Sequence, residues 1–285
     1  MSHTRNSTAL LSMAFSSSDG ERPMTIHRQD PPWKVVRRFE NGDGDCLVHM
    51  HNLSGGILGG DQLDLHVVVG EGSRVLLTST GATRIYKHRA GRPSARCRMH
   101  ALIARHALLE YLPDQLIPFR DSRFEQHTEI ELDSEDAGVF WWETITPGRA
   151  ASGEKFSYST LQVRSVVSCA ERPMAIDQFT LEPASRSLQR PGILGEFSCC
   201  STFYICKTGV SKEQWEALVD LLQDEAEVQS SACTHWGVST LVENGVVIRG
   251  IGNEASHLQE RLRSFWKIAK RSLYGREAVL PRKVY

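Results

Sequence analysis

The stretch Gly55-Gly56-Ile57-Leu58-Gly59-Gly60-Asp61, QLDLHVVV (62–69), Gly70-Glu71-Gly72, SRVLLTST (73–80) and GATRIYK (81–87) sets the character of the whole chain. Leu63, Leu65, Val67 and Val69 alternate with Asp64 and His66, the period of a half-buried strand. A tight Gly-Glu-Gly turn leads into a second apolar run, as in a hairpin. The glycines at 55, 56, 59 and 60 permit backbone angles closed to other residues and close approach of another segment. Asp61 then places a carboxylate at the end of a crowded turn. A sheet corner and a phosphate cradle both use such glycines. The details oppose the cradle: no Gly-Lys-Ser/Thr follows, and a strand rather than a helix N-terminus comes next.

Working outward, strand-like runs recur about every 10 to 15 residues and no convincing helix occurs before position 211. They lie at 34–39, 46–51, 94–103, 108–113, 115–119, 123–132, 139–145, 156–167 and 173–181, with another around Cys199, Cys200 and Cys206. No fixed-period repeat is present. The reading is a mainly β fold, an irregular multi-strand stack of sandwich or solenoid-like form. Asn41-Gly42-Asp43-Gly44-Asp45 imitates the start of a calcium loop but lacks its glycine offset and terminal glutamate. It reads as a solvated hairpin tip.

The pattern changes at Ser211, which with Gln214 forms a capping box; Trp215, Leu218, Val219 and Leu222 then mark one helix face. Asn244-Gly245 between 238–242 and 246–251 signals a hairpin. A second helix is predicted over 254–274, with Leu258, Leu262, Phe265, Trp266, Ala269 and Leu273 on its apolar face and Gly275 beyond its end. The organisation is a disordered leader over 1–22, then a single domain over 23–285: β-rich from 23 to 210 and helix–hairpin–helix from 211 to 285, with two C-terminal helices.

Lys plus Arg is 33 and Asp plus Glu is 34, so no global charge points to nucleic acid or an anionic membrane. No apolar run reaches the ~20 residues of a membrane span. Residues 1–20 are rich in Ser and Thr and carry no convincing cleavage pattern, which favours a disordered leader over a targeting peptide. Seven scattered cysteines without a Cys-x-x-Cys pair suit reduced, buried thiols in a cytoplasmic protein. Trp141, Trp142, Trp215 and Trp266 are assigned to core or interface.

Several fragments imitate catalytic motifs. Ser152-Gly153-Glu154-Lys155 and Lys207-Thr208-Gly209 match two β-lactamase elements, but the Ser-Asp-Asn element between them is missing. His49 and His51 share one strand face and are weak candidates to hold a soft divalent metal, with Asp61 a third. The carboxylates Asp61, Glu143, Glu154 and Asp177 sit beside glycine, aromatics or strand cores. They read either as turn caps and solvated positions, or as groups lining an internal passage or partner surface. Carboxylates taken singly hold divalent cations loosely, which suits passing a metal more than storing it.

Five ordered blocks carry a family resemblance: GGILGGD (55–61), LLTSTGATRIYK (76–87), LEYLPDQ (109–115), WETITPGR (142–149) and GEKF (153–156). A sixth is the C-terminal part, with the Asn-Gly hairpin, VIRGIG and LYGREAVLPR. Together, from about residue 23 to 285, they resemble the urease accessory protein family called UreD or UreH. The chain departs from the family's usual pattern at Ser79-Thr80, Arg84 and Pro147.

The resemblance implies a urease maturation factor and not an enzyme. Such a protein is a scaffold or metallochaperone subunit that binds the urease apoprotein and a helical UreF-type accessory protein. Through that complex it recruits a UreG-type GTPase, and it passes nickel through a water-filled tunnel toward the urease active site. Nickel is then a transient cargo with no tightly bound cofactor, and nucleic acid and membrane are not partners. Gly59, Gly60, Asp61, Thr83, Arg84, Tyr86, Glu143, Arg149, Glu154 and Asp177 are the residues this reading places at a passage or partner surface. The alternative is a β-fold hydrolase using a buried carboxylate or thiol. A structural nickel-binding protein built on His49 and His51 is a third reading.

Overall fold

The computed structural model of the chain describes residues 8–17, 24–42 and 44–279. In chain order the strands are β1 (Thr8–Phe15), β2 (Met24–Gln29), β3 (Trp33–Asn41), β4 (Asp45–Asn52), β5 (Gln62–Val69), β6 (Arg74–Ser79), β7 (Thr83–Ile85), β8 (Ala95–Ile103) and β9 (Leu108–Tyr111). They continue as β10 (Leu116–Pro118), β11 (Arg123–Leu132), β12 (Gly138–Ile145), β13 (Thr160–Cys169), β14 (Arg172–Leu181), β15 (Cys199–Lys207), β16 (Thr234–Thr240) and β17 (Gly245–Gly252). Helix α1 (Lys212–Gln229) lies between β15 and β16, and α2 (Ala255–Tyr274) follows β17.

Two mixed sheets hold these strands. The first runs β14-β13-β11-β8-β5-β1-β2, and the second β16-β17-β15-β12-β9-β6-β4-β3, with β10 and β7 attached beside β12. The sheets face each other over a shared interior. Leu65, Val67, Met99 and Ile130 of the first meet Val48, Leu77, Val139 and Trp141 of the second in one apolar cluster. A second inter-sheet cluster gathers Leu63, Phe124, Leu161 and Ile145 toward one end of the strands. On its other face the second sheet presents Leu76, Phe140, Phe203 and Ile248 to Leu218 and Leu222 of α1 and Leu262, Phe265 and Trp266 of α2. The alternation of each strand thus divides its side chains between two layers.

The predicted mainly β stack with two C-terminal helices and a hairpin between them is the observed fold. Ser211 accepts from the Gln214 backbone N–H while the Gln214 side chain accepts from Ser211, so the capping box forms. Gly275 closes α2 in the left-handed conformation. The Asn244 hairpin is present, but its first strand covers Thr234–Thr240 rather than 238–242. The run expected at 156–167 starts later, at Thr160, after a loop in which Phe156 takes a positive φ.

Three expectations are corrected. The Gly70–Gly72 turn does not close a hairpin: it carries the chain from β5 in the first sheet to β6 in the second, and the two strands do not pair. The leader expected over 1–22 contains β1, a strand inside the first sheet, parallel to β5 and antiparallel to β2. Ala9, Leu11, Met13 and Phe15 point into the core; the rest of the predicted leader lies outside the described residues, apart from residues 16 and 17. The tip at 41–45 is a hairpin, but it is not solvated at Asp45. That carboxylate is 4 % exposed and meets Arg74, Lys270 and Arg276. No helix among the described residues is long and apolar enough to cross a membrane.

Candidate functional site

The glycine-rich loop packs against the strand that follows two turns later in the chain. A bridge joins Ile57 to Ile85. Arg84 and Tyr86 reach back to the Gly55 carbonyl, Tyr86 Oη donating at 3.2 Å. A Cβ on Gly56 would stand 2.6 Å from the Tyr86 ring and 2.7 Å from the Arg84 carbonyl, so this approach requires glycine. Gly60 takes φ +93°, and Gly59 abuts the His88 ring. Asp61 serves its own turn: its carboxylate accepts from the Leu58 N–H at 3.0 Å, and the residue is 9 % exposed.

Tyr86 leads onward to a second part of this end. Its ring meets Phe119 edge-on at 5.3 Å, and the Arg149 guanidinium lies 4.6 Å above Phe119. Arg149 grips Glu154 through Nε at 2.9 Å and a second Nη2 bond, a bidentate fork. That pairing holds Glu154 below the ordinary carboxylate range. The blocks at 55–61, 83–87, 147–149 and 153–156, far apart in sequence, therefore form one continuous end of the sandwich.

Glu143 and Asp177 lie elsewhere, inside. Glu143 points from β12 between the sheets and accepts from the Gln126 side chain of β11. Burial, with a further push from Asp177, raises its carboxyl to about 8 against the opposing bond from Gln126. It lines a cavity of about 50 Å³ together with Thr83, Tyr111, Asp114, Gln126 and Thr144. Asp177 points inward from β14, where it accepts from Tyr204 Oη at 2.9 Å and from Arg249 Nη2 at 2.8 Å.

These interior groups follow a rule set by register. Gln126 stands between Phe124 and Ile130, which belong to different apolar clusters. Ser165 stands in the same way between Val163 and Val167, and Cys97 between Ala95 and Met99. On the second sheet Glu143 separates Trp141 from Ile145. Thr202 faces Glu143 in the β12–β15 pairing and Arg249 in the β15–β17 pairing. Ser165 faces Asp177 in the β13–β14 pairing. A polar seam, one residue from each of several strands, thus crosses the interior between two apolar clusters. Trp141 Nε1 and Ser165 Oγ, both bordering it, are buried with no hydrogen-bond partner among the described residues, and such atoms are ordinarily satisfied by water. At its edge the seam reaches solvent, where Arg249 is exposed.

The thiols along this interior are not activated. Burial pushes Cys97, Cys200 and Cys206 up to about 12, so they hold their protons at neutral pH. His49 and His51 sit on the opposite face of the second sheet; His49 packs edge-on against Phe39 and His51 lies 3.3 Å from Thr80 Oγ1. Among the described residues no three His, Cys, Asp or Glu side chains are already arranged around a metal position.

Of the residues singled out in the sequence, Gly59, Gly60, Asp61, Arg84, Tyr86, Arg149 and Glu154 meet at the loop end, and Thr83 joins that end to the cavity. Glu143 and Asp177 belong to the seam. Sequence reasoning missed Gln126, Ser165, Thr202, Tyr204 and Arg249. The signal that could have found them is a lone polar residue at an inward position of an otherwise apolar alternation.

A family model described as UreD urease accessory protein matches residues 7–285. Proteins named urease accessory protein UreD share 38% identity over 282 residues in Herpetosiphon aurantiacus (96% of each chain). In Pseudomonas aeruginosa the identity is 30% over 277 residues, covering 96% of this chain and 93% of the relative. In Lysinibacillus sphaericus it is 28% over 253 residues, covering 88% and 91%. With a family match over nearly its whole length and these relatives aligned over most of theirs, the chain belongs to the UreD urease accessory protein family.

Proposed function

We propose that this protein is a non-catalytic maturation factor of urease, a scaffold that binds the urease apoprotein and a UreF-type partner and passes nickel along its interior. The observation that carries the reading is the polar seam through Gln126, Glu143, Ser165, Asp177 and Arg249. Packed β cores normally exclude such groups unless they are paired or hydrated. Here a row of them runs between two apolar clusters and ends at an exposed edge. Polar groups spaced along such a path offer a divalent cation weak, successive contacts rather than a trap, with Glu143 giving up its proton and Asp177 its Arg249 partner as the ion arrives. A cavity of about 50 Å³ fits water and an ion, whereas small-molecule substrates occupy pockets of roughly 300–1,000 Å³. Together with protonated thiols, that size argues against a hydrolase built on the buried Glu143 carboxyl. The loop end at Arg84, Tyr86 and Arg149 is the proposed partner-facing surface, from which a UreG-type GTPase is engaged through the UreF-type protein. No resident cofactor is part of this proposal; nickel is cargo.

The test is co-expression of urease and its accessory proteins with this chain carrying Glu143→Ala, Asp177→Ala or both. Urease nickel content and activity are expected to fall while the variants still co-purify with the apoprotein and the UreF-type partner. Full nickel content with the double variant would refute conduction through the seam. Normal urease activity without this chain would refute the maturation role itself.

A further inference from the structure

The helical side of the molecule carries a groove that neither the seam nor the loop end uses. It runs between the first turns of α1 and the tip of the β16–β17 hairpin and encloses about 500 Å³. Val210, Trp215, Val219, Leu241, Val242 and Val246 supply its apolar lining. Val242, at the hairpin tip, is 97 % exposed, the most of any large apolar side chain among the described residues. Apolar surface gathered in one concavity, rather than scattered singly, marks an interaction site.

The rim is acidic. Glu216 and Asp220 stand one turn apart on α1, and Glu243 stands on the hairpin side; all three are exposed. Lys212, the one cation among the lining residues, is paired with Glu216 at 3.5 Å. Among the described residues Asp220 and Glu243 have no ion-pair partner. The whole helix leans the same way, with Glu213, Glu216, Asp220, Asp224, Glu225 and Glu227 answered by Lys212 alone. A chain whose net charge is −1 thus concentrates negative charge along this groove.

We propose that the groove docks a short amphipathic helix of a protein partner, apolar on the side that enters and carrying Lys or Arg beside it. The wall sets the form of the occupant. Trp215 and Val219 recur at i, i+4, and Glu216 and Asp220 repeat that spacing one residue on. A helix laid along them meets an apolar stripe and an acidic stripe together, and its own anchors and cations recur with the same period. Residues 212 to 220 span about 12 Å, a little over two turns. The apolar floor supplies affinity, while the exposed carboxylates select the partner by charge and speed its approach. Helix α1 covers the face of the second sheet opposite the seam, so the groove stands or falls independently of nickel passage through the interior.

Fluorescence anisotropy of the full chain with two labelled synthetic helices tests the assignment, with far-ultraviolet circular dichroism as the control for folding. Both peptides carry leucines at i, i+4 and i+7; one has lysines beside them and its twin has glutamates. The lysine peptide should bind at least about tenfold tighter, and added salt should narrow the gap. Glu216→Lys, Asp220→Lys and Glu243→Lys combined change only exposed side chains and should invert the preference toward the glutamate twin. Val242→Asp should weaken the lysine peptide by about threefold or more, because a carboxylate then enters an apolar contact. Equal binding of the two peptides by the wild type overturns the proposal, as does a charge-reversed variant that keeps the wild-type preference. Uptake of Nile red in the groove with no binding of either peptide would make it a small-molecule pocket and overturn the proposal too. So would self-association of the chain that Val242→Asp abolishes, since a second copy would then be the occupant.

Discussion

Gln126 on β11 donates its side-chain amide to Glu143 on β12, and this bond ties the two sheets together through their interior. It also decides how Glu143 responds to pH. Burial raises its carboxyl to about 8, well above its ordinary value of 4.5. The unfolded chain releases this proton first, so the folded state loses stability as pH rises between those values and levels off above them. Glu143→Gln removes the ionisation and keeps the shape. Urea midpoints measured from about pH 5 to 9 should fall for the wild type and stay flatter for the variant. Parallel curves would mean that Glu143 ionises as an ordinary carboxylate.

The seam is distinct from the charged cluster that holds the helical layer. Lys270 of α2, 1 % exposed, donates to Glu110 Oε2 at 2.8 Å and to Asp45 Oδ2 at 3.2 Å. Trp266 Nε1 completes the shell of Glu110, and Arg74 and Arg276 that of Asp45. Burial pushes both carboxyls up; for Asp45, Arg74 and Lys270 outweigh it and hold the group low, whereas Glu110 stays raised. Lys270→Ala leaves two buried acids short of a cation and should destabilise the protein by about 3–5 kcal/mol in chemical denaturation. Lys270→Ala together with Glu110→Gln should recover part of that loss. A cost below about 1 kcal/mol for the single change would show that water replaces the ammonium.

Strand β1 sits between β5 and β2, and Leu11 is fully enclosed. Leu11→Ala should therefore lower stability by about 2–5 kcal/mol, as for other buried leucines. Removing residues 1–15 takes out the penultimate strand of the first sheet, uncovering the edge of β5 and stranding β2. The truncated chain should be recovered insoluble, and a soluble product with wild-type thermal stability would contradict the placement.

The Gly56–Tyr86 contact makes a local prediction. In Gly56→Ala the new methyl would lie 2.7 Å from the Arg84 carbonyl oxygen, and backbone cannot swing aside as a side chain does. The cost should be about 1–3 kcal/mol, the range of overpacking. Gly81→Ala, where a Cβ meets nothing within 4 Å, is the matched control and should be nearly neutral. Equal stability of the two variants would show that the loop relaxes freely.

Local pattern was enough to define most elements of this protein. Alternation in 62–69, 94–103 and 123–132 marks strands because a pleat sends successive side chains to opposite faces whatever the partner strand is. Ser211 with Gln214, and Asn244 with Gly245, define helix start and hairpin through bonds and angles made within a few residues. The ordered glycine, tyrosine and arginine blocks were likewise legible as a family likeness. What pattern left hidden depends on distant partners. β1 hid among serines because its outward residues Leu10 and Ala14 blur the alternation and its parallel partner β5 begins far along the chain. Asp45 looked like a solvated turn residue until α2 brought Lys270, 225 positions later, against it. Gln126, Glu143, Ser165 and Asp177 are isolated polar residues when read along their strands. Only the register of two facing sheets sets them side by side, because a seam across a sandwich is a property of strand alignment and not of any one segment.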